Sequence, residues 1–279
     1  MTKRAFVISD NAAHSLSPVM HNAAFAELGL DAHYEALAVS DDELPAVVAR
    51  LRELDVYGAN VTMPFKLAVV PLLDALSPEA QIVGAVNTIV SNKGRLTGHN
   101  TDAIGFIRAL REDAKFDPES RDVVMVGAGG SARAVGLALL RAGAVLGIAN
   151  RTFAKAEALA TGLQRYGDVA AIRAHDFGRA VQRASLLVNT TTVGHETHGA
   201  SRLPLPYGFL PRELVVDIIY RPAKTPLLQA AEREGLQTQN GVPMLVYQGA
   251  EALALWTGQE APLAAMQRAL EKALYSPQH

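Results

Sequence analysis

The sequence predicts an α/β protein of two domains, in which short buried strands alternate with helices. The chain has 279 residues, of which 49% are hydrophobic and 19% charged, so it can bury two cores and has the composition of a folded globular protein. Two series of strand and helix patterns follow one another along the chain. The segment 113–121, which is charged and contains Pro118, is the expected connector between them.

The first series occupies the N-terminal third of the chain. Apolar runs and helical patterns alternate in it, at residues 5–8, 18–28, 34–39, 44–54 and 58–61. Ser17 is expected to cap the first helix, with Pro18 at the first helical position and Gly29 at the end. Ser40 and Glu43 have the spacing of a capping box, and Ser77-Pro78 repeats the Ser-Pro start further on.

The second series begins at residue 122. Residues 123–126 are four consecutive apolar residues, as in a strand buried on both faces, and glycines and a helical pattern at 131–142 follow them. Further strands are expected at residues 145–149, 186–189, 215–218 and 236–239. Helical patterns at 244–256 and 262–274 end the chain, with no strand after them.

The composition and charge exclude several classes of function. A net charge of -2, with 26 basic and 28 acidic residues well mixed, offers no basic surface for nucleic acid or an anionic membrane. The absence of cysteine excludes disulfides and thiolate metal sites, and the eight histidines form no metal-binding pair, so no metal is expected. Nothing at the N-terminus resembles a signal peptide, and the most apolar stretch, 134–149, is interrupted by Arg141 and three glycines. We therefore expect a cytoplasmic protein with a small-molecule ligand.

A glycine-rich motif at the start of the second series predicts nucleotide binding. Gly127, Ala128, Gly129, Gly130, Ser131 and Ala132 lie between a predicted strand and a predicted helix. In this setting Gly127 permits the tight turn, Gly129 allows the backbone to approach a pyrophosphate, and Ala132 replaces the third glycine where helix and strand pack. The helix N-terminus then presents free N–H groups to the phosphates.

The residues after the next strand favour NADP over NAD. An NAD-binding domain usually presents an acidic residue there to the ribose 2′-hydroxyl. This chain instead has Asn150, Arg151 and Thr152, with Lys155 one helical turn further on. Arg151 and Lys155 can bind a 2′-phosphate through charge-assisted hydrogen bonds, although Lys155 could equally be a solvated helix residue.

Polar residues cluster at the ends of strands in the first series, where ligands bind in α/β domains. They lie in the segments His14-Ser15-Leu16-Ser17-Pro18, Asn60-Val61-Thr62-Met63-Pro64-Phe65-Lys66 and Gly98-His99-Asn100-Thr101-Asp102. Ser17, Thr62 and Thr101 could simply be helix caps, and Asn60 a turn residue. Lys66 and Asp102 have no such structural explanation.

These segments, together with Gly-Ala-Val-Asn-Thr at 84–88, Asn-Arg-Thr at 150–152 and Asp-Ile-Ile-Tyr at 217–220, resemble the shikimate dehydrogenase family. The matching motifs follow the family's order and cover nearly the whole chain. The resemblance implies a substrate-binding α/β domain at 1–104, a Rossmann-type NADP domain at 105–241, and C-terminal helices at 242–279 that return to the first domain. It also implies shikimate and 3-dehydroshikimate as substrates, and a monomer or homodimer.

Transferred to matching positions, the resemblance implies two sets of site residues. The substrate-binding residues would be Ser15, Ser17, Thr62, Lys66, Asn87, Asp102, Tyr220 and Gln248. The cofactor residues would be those of the glycine-rich motif and of Asn150 to Thr152 with Lys155, joined by Thr190, Gly241 and Met244. Oxidation of a carbinol needs a group that takes the hydroxyl proton, and we expect Lys66 to relay it while Asp102 orients the substrate.

Some alternatives remain open on sequence alone. His99 and His195 depart from the family pattern, and residues 10–13 lack its usual glycine and proline. A quinate/shikimate dehydrogenase with relaxed cofactor use would share the fold and the Lys66–Asp102 pair. A non-catalytic sensor of a nucleotide or metabolite would share the fold, but it would not need that pair. A folate-type dehydrogenase would leave the segments around Ser15 and Lys66 unexplained.

Overall fold

The computed structural model of the protein describes residues 2–53, 55–196 and 209–275. The chain divides into two compact units. The first combines residues 1–105 with residues 245–279, and the second contains residues 106–244. The helices that end the chain therefore belong to the same unit as its N-terminal third. Leu54, the expected last residue of the second helical pattern, lies outside the described residues.

The first unit is built on a six-stranded mixed sheet. Its strands are β1 (Lys3–Ser9), β2 (Ala32–Ala38), β3 (Val56–Val61), β4 (Ala75–Leu76), β5 (Thr88–Asn92) and β6 (Arg95–His99), in the order β2-β1-β3-β5-β6-β4. β1 is parallel to β2 and β3, whereas β5 is antiparallel to both β3 and β6. The helices are α1 (Ser17–Glu27), α2 (Leu44–Arg50) and α3 (Pro78–Val83). A further helix, α4 (Asp102–Arg108), begins in this unit and continues into a π-helical turn at Ala109–Asp113, which belongs to the second unit.

The hairpin of β5 and β6 was not assigned from the sequence. Lys93 and Gly94 connect the two strands, with φ angles of 51° and 81°, so both residues of the turn adopt left-handed geometry. Such two-residue turns usually have asparagine or aspartate before the glycine. A lysine in that position gives a weaker sequence signal for the hairpin.

The second unit is built on a six-stranded parallel sheet. Its strands are β7 (Asp122–Val126), β8 (Val145–Ala149), β9 (Val169–Ala171), β10 (Leu186–Asn189), β11 (Leu214–Asp217) and β12 (Gln237–Gln239), in the order β12-β11-β10-β7-β8-β9. Numbered within the unit, this is the 3-2-1-4-5-6 order of a dinucleotide-binding fold. The helices are α5 (Gly130–Arg141), α6 (Phe153–Leu163), α7 (Phe177–Arg183) and α8 (Pro226–Arg233). The predicted fold class is confirmed.

Two further helices, α9 (Val242–Thr257) and α10 (Leu263–Tyr275), end the described chain. α10 packs on α1. Within α9, Trp256 donates its indole N–H to the carbonyl of Ile89 in β5 at 2.9 Å. These contacts hold the C-terminal helices on the first sheet. No helix in the described parts of the chain is long and apolar enough to cross a bilayer.

The helix caps correct two sequence expectations. α1 begins at Ser17 itself, because Leu16 already has αR geometry, and it is the Ser15 hydroxyl that accepts the N–H of Ser17 at 3.2 Å. Before α2, Glu43 accepts the backbone N–H of Ser40 at 2.9 Å, but the Ser40 hydroxyl donates to Glu43 instead of capping, so only half of a capping box forms. Ser77 caps α3 as expected.

His21 is a fully buried, neutral imidazole in the core of the first unit. Its ring stacks on Tyr34 at 4.4 Å between centroids, and Trp256 covers it at 5.3 Å. Neither ring nitrogen has a hydrogen-bond partner among the described residues. Burial lowers the pKa of His21 from its ordinary 6.5 to about 3, and the neighbouring Asn60 side chain opposes this shift only in part.

We expect His21 to make the protein less stable in acid. The unfolded chain protonates this imidazole near its ordinary pKa of 6.5 and the folded chain only near 3, so protonation between these values favours unfolding. Each pH unit in that window removes about 1.4 kcal/mol from the free energy of unfolding. Urea unfolding of wild type and His21→Phe at several pH values tests this. The difference between the two proteins should change with pH, and parallel stability curves would contradict the prediction.

Candidate active site

Lys66 and Asp102 form a buried ion pair at one edge of the first sheet. Lys66 lies on the segment that follows β3, and Asp102 is the first residue of α4. The Nζ of Lys66 lies 2.5 Å from Oδ2 of Asp102. The two residues are only 8% and 4% exposed. Removing two charges from water costs free energy, and the packing of the core does not need an ion pair. A buried ion pair of this kind therefore indicates a functional site.

Asn87 holds the second carboxylate oxygen of Asp102. Its Nδ2 donates to Oδ1 of Asp102 at 2.8 Å and to Oγ1 of Thr101 at 2.9 Å. Its Oδ1 accepts the backbone N–H of Thr101 at 2.7 Å, which fixes the orientation of the amide. The same Nδ2 lies 3.3 Å from Oε1 of Gln248 on α9. Four predicted site residues, Lys66, Asn87, Asp102 and Gln248, therefore meet in one hydrogen-bonded group.

Ser15 and Thr62 lie on the loops that follow β1 and β3, and Ser17 is the first residue of α1. These strands are parallel neighbours, so their carboxyl ends share an edge of the sheet. Thr62 donates its backbone N–H to the carbonyl of Ile8 at 3.1 Å, which ties the two strand ends together. Ser15 and Thr62 are half-buried and Ser17 is buried. Their hydroxyls are suited to donate to and accept from a polyhydroxylated ligand.

The glycine-rich turn of the second unit has the predicted form. Gly127 has φ +120°, and a Cβ on it would lie 2.3 Å from Oγ1 of Thr190, so only glycine fits. Thr190 donates this hydroxyl to the carbonyl of Val126 at 2.7 Å and so joins the ends of β7 and β10. The strand order reverses between these two strands, where dinucleotides bind in such folds.

Gly129 and the start of α5 leave room for a phosphate. A Cβ on Gly129 would meet no described atom within 4 Å, so the open side of the turn can receive a ligand. Gly130 begins the 12-residue helix, and Ser131 follows it in the first turn. Ala132 is fully buried, as expected for the position that replaces the third glycine. Ala128 completes the turn.

The segment after β8 presents two exposed cationic side chains. Arg151 and Lys155 are exposed, and neither side chain makes an ion pair with any residue that the structure describes. Asn150 donates its amide to the carbonyl of Thr152 at 2.9 Å and so shapes the loop before α6. Positive charges in this position suit the 2′-phosphate of NADP. The glycine turn and this segment together fit a dinucleotide with that phosphate.

Gly241 and Met244 have structural roles of their own. A Cβ on Gly241 would lie 2.0 Å from the carbonyl oxygen of Ile218, and its N–H donates to the carbonyl of Ile219 at 2.9 Å. Gly241 is thus packed against the loop after β11, which also carries the half-buried Tyr220. Met244 is buried in the first turn of α9. Tyr220, Gly241 and Met244 all belong to the second unit.

Asp217, at the end of β11, is a further functional candidate that was not predicted from the sequence. Its carboxylate accepts hydrogen bonds from Thr225 Oγ1 at 2.7 Å, Asn189 Nδ2 at 3.0 Å and the backbone N–H of Ile219 at 3.1 Å. Burial raises the pKa of Asp217 to about 6, and these hydrogen bonds only partly oppose the shift. The group ties together the loops that carry Thr190 and Tyr220.

Asn60 is not the turn residue that the sequence suggested. It lies within β3 and is only 6% exposed. Its amide bonds to the Tyr34 hydroxyl and to Thr88. The sequence signal that could have revealed this buried position is a polar residue in an otherwise apolar strand.

Among the described residues no group of three histidine, aspartate or glutamate side chains could hold a metal ion.

Comparison with known proteins decides the family. Three family models match the chain: the shikimate dehydrogenase substrate binding domain at residues 7–89, shikimate/quinate 5-dehydrogenase at 110–203, and the shikimate 5′-dehydrogenase C-terminal domain at 241–271. A shikimate dehydrogenase (NADP(+)) from Moorella thermoacetica is 46% identical over 267 residues, covering 94% of this chain and 90% of the relative. The chain belongs to the shikimate dehydrogenase family.

Solved structures of the shikimate dehydrogenase family have the same fold. Shikimate 5-dehydrogenase from Thermus thermophilus, solved in complex with NADP(H) and shikimate, matches with a TM-score of 0.89 and 41% identity, covering 98% of this chain and all of that chain. Quinate dehydrogenase from Corynebacterium glutamicum, in complex with NAD, matches with a TM-score of 0.84 but only 31% identity, over 96% and 98% of the two chains. By identity, this chain is more similar to the shikimate enzyme.

Proposed function

We propose that this chain catalyses the reversible NADP-dependent oxidation of shikimate to 3-dehydroshikimate, and that it works physiologically as the reductase in aromatic amino-acid biosynthesis. The buried Lys66–Asp102 pair carries the proposal, because a binding protein or sensor has no need of it. The relatives named above, which carry this activity in their names, support it. The proposed location is the cytoplasm, and the proposed state a monomer or homodimer.

Each of the two domains binds one of the two ligands. Residues 1–104 with the helices of 242–279 bind the substrate, and residues 105–241 bind NADP. The Lys66 group lies in the first of these. The glycine-rich turn and the two exposed cations lie in the second.

Lys66 transfers the hydroxyl proton, and Asp102 holds Lys66 in position. NADP, when bound, supplies the acceptor for the hydride that leaves the carbinol carbon. In the direction of reduction, Nζ of Lys66 donates a proton to the oxygen that becomes the hydroxyl, and in oxidation it receives that proton. Asp102 holds the ammonium through Oδ2 and is itself fixed by Asn87 through Oδ1. The proton carrier is thus pre-positioned before the substrate arrives.

Neutral polar groups recognise the substrate. Shikimate has three hydroxyls and one carboxylate, so its site needs partners that both donate and accept. Hydroxyls are supplied by Ser15 and Thr62, on the loops after β1 and β3, and by Ser17 at the start of α1. Asn87 and Gln248 supply amides beside the ion pair. Tyr220 completes the substrate set.

The cofactor is bound by backbone and cationic groups. N–H groups of the glycine-rich turn, residues 127–132, bind the pyrophosphate at the start of α5. Arg151 binds the 2′-phosphate, with Asn150, Thr152 and Lys155 around it. Thr190, Gly241 and Met244 border the nicotinamide.

Initial rates with four substrate and cofactor pairings test the function. We expect shikimate with NADP to exceed shikimate with NAD, quinate with NADP and quinate with NAD by at least about tenfold in kcat/KM, a difference of 1.4 kcal/mol in the barrier. The reduced nicotinamide absorbance is the readout. Comparable rates with quinate or with NAD would instead indicate a quinate/shikimate dehydrogenase with relaxed substrate or cofactor use. Cofactor binding without turnover in any pairing would indicate the sensor and overturn the proposal.

A further inference from the structure

A chain of buried hydrogen bonds leads into Asp102 from the interior of the first unit. The Tyr34 hydroxyl donates to Oδ1 of Asn60 at 2.7 Å, and Nδ2 of Asn60 donates to Oγ1 of Thr88 at 3.0 Å. Thr88 in turn donates to Oδ1 of Asn87 at 3.2 Å. Asn87 then donates to Oδ1 of Asp102 at 2.8 Å. We call this series, Tyr34–Asn60–Thr88–Asn87, the buried relay.

The sheet itself brings the middle of the relay together. Asn60 and Thr88 are directly opposite one another in the antiparallel pair of β3 and β5. Directly opposed residues share a face of the sheet, so their side chains meet. Tyr34 and Thr88 are 1% and 0% exposed, so water cannot replace a lost partner there. Neither Tyr34 nor Thr88 is among the residues proposed to touch substrate or cofactor.

The donor direction is determined for the bonds from Tyr34 to Asn60, from Asn60 to Thr88 and from Asn87 to Asp102. Nδ2 of Asn60 also faces the backbone carbonyl of Asn87 at 3.3 Å, and a flipped amide would place two acceptors against each other there. Tyr34 must then donate to the amide oxygen of Asn60. Because Thr88 accepts from Asn60, its own hydrogen can point to Oδ1 of Asn87 or to Oγ1 of Thr101, each of which lies 3.2 Å from Oγ1 of Thr88. In the second case the Thr101 hydroxyl donates to Oδ1 of Asn87, at 3.3 Å. Oδ1 of Asn87 therefore receives a hydroxyl hydrogen from Thr88 either directly or through Thr101.

We propose that Tyr34, Asn60 and Thr88 are positioning residues that hold Asn87 in the orientation that fixes Asp102, and through it Lys66. Aligned hydrogen bonds polarise one another, so a second donor to Oδ1 of Asn87 strengthens the bond from its Nδ2 to Asp102. The relay acts on the proton-transfer pair and leaves cofactor binding unchanged. For its activity readout this inference rests on the proposed function.

Substitutions at Thr88 separate positioning from packing. Thr88→Val keeps the shape and removes the hydroxyl, whereas Thr88→Ser keeps the hydroxyl and removes a methyl group. We expect Thr88→Val to lower kcat roughly tenfold, with KM for NADP unchanged, because it leaves buried partners unsatisfied. Thr88→Ser should restore kcat to within about twofold of wild type, even where its thermal stability is lower. If Thr88 were needed only for packing, Thr88→Val would keep kcat and Thr88→Ser would lower it.

Tyr34→Phe tests the far end of the relay. It removes only the phenol oxygen, and we expect a roughly three- to tenfold loss of kcat, again without a change in KM for NADP. Combined with Thr88→Val it should add little, since both interrupt one series. Thr97→Val, on the neighbouring strand β6 and outside the relay, is the matched control and should keep wild-type kcat.

The side-chain amide of Asn87 offers a readout that needs no turnover. In a nitrogen-15 NMR spectrum, Thr88→Val should shift the Asn87 amide protons and speed their exchange, and Thr97→Val should not. A folded Thr88→Val protein with wild-type kcat and an unchanged Asn87 amide would overturn the relay. Wild-type protein without shikimate turnover, but with the amide shift in Thr88→Val, would refute the proposed function and leave the relay standing.

Discussion

Replacing Lys66 with methionine lowers kcat for shikimate oxidation by about two to four orders of magnitude, because methionine keeps an unbranched side chain of similar size but cannot carry a proton. The expected loss is in kcat, while KM for NADP stays near the wild-type value. Steady-state rates in both reaction directions measure it. Residual turnover comes from the bound geometry of substrate and cofactor.

The substitution also affects stability, which needs its own control. Without Lys66 the Asp102 carboxylate is buried without its cation, and breaking a buried pair in this way costs roughly 3–5 kcal/mol. The double variant Lys66→Met with Asp102→Asn removes both charges, so it should recover stability and leave kcat low. Full turnover in a folded Lys66→Met protein would exclude Lys66 as the proton carrier. Recovery of kcat in the double variant would exclude it equally.

Replacing Arg151 with alanine weakens NADP binding by roughly 10- to 150-fold and leaves NAD binding unchanged. A hydrogen bond from a charged donor to a charged acceptor contributes about 1.5–3 kcal/mol, and NAD lacks the 2′-phosphate that would accept it. Because Arg151 is exposed and has no ion-pair partner among the described residues, its loss should not disturb the fold. Dissociation constants of both cofactors, measured by fluorescence, test this.

Two matched variants make the Arg151 result interpretable. Arg183→Ala removes an exposed arginine from α7 of the same unit and should leave both cofactor affinities unchanged. Lys155→Ala distinguishes a phosphate contact from a solvated charge in the first turn of α6. Equal weakening of NADP and NAD by Arg151→Ala would show that Arg151 acts on the dinucleotide as a whole or on the loop. That outcome would remove the structural basis for NADP preference.

The strands and helices were predictable where one signal dominated. The apolar run of β7 and the glycines after it were sufficient to place the dinucleotide-binding unit, because a strand, a tight turn and a helix leave a local pattern. The short strands β4 and β9 and the β5–β6 hairpin were not found. β4 pairs with β6 and β9 with β8, strands separated from them in sequence, and local periodicity does not record such pairing. The hairpin was missed because its turn has a lysine before the glycine.

Within the site, the sequence identified the residue types and the structure supplied their partners. Lys66 and Asp102 could be named because no cap or turn explained them. For Asn60, in contrast, a simple turn role remained open, since nothing near it in sequence reveals that Tyr34 and Thr88 surround it. Asp217 was not identified either, because the burial of its carboxylate and the hydrogen bond from Asn189, on the neighbouring strand β10, leave no mark in the local sequence.

The sequence by itself determined the family, the α/β class, the glycine-rich turn and the presence of cations in place of an acid after β8. These depend on residues close together in the chain, whose propensities and spacing act locally. Only the tertiary structure decided which polar groups are buried together, which hydrogen bond each amide makes, and which way the donors run toward Asp102. Burial and hydrogen-bond direction depend on neighbours that the sheet register brings together from distant positions, so the fold must form before they exist.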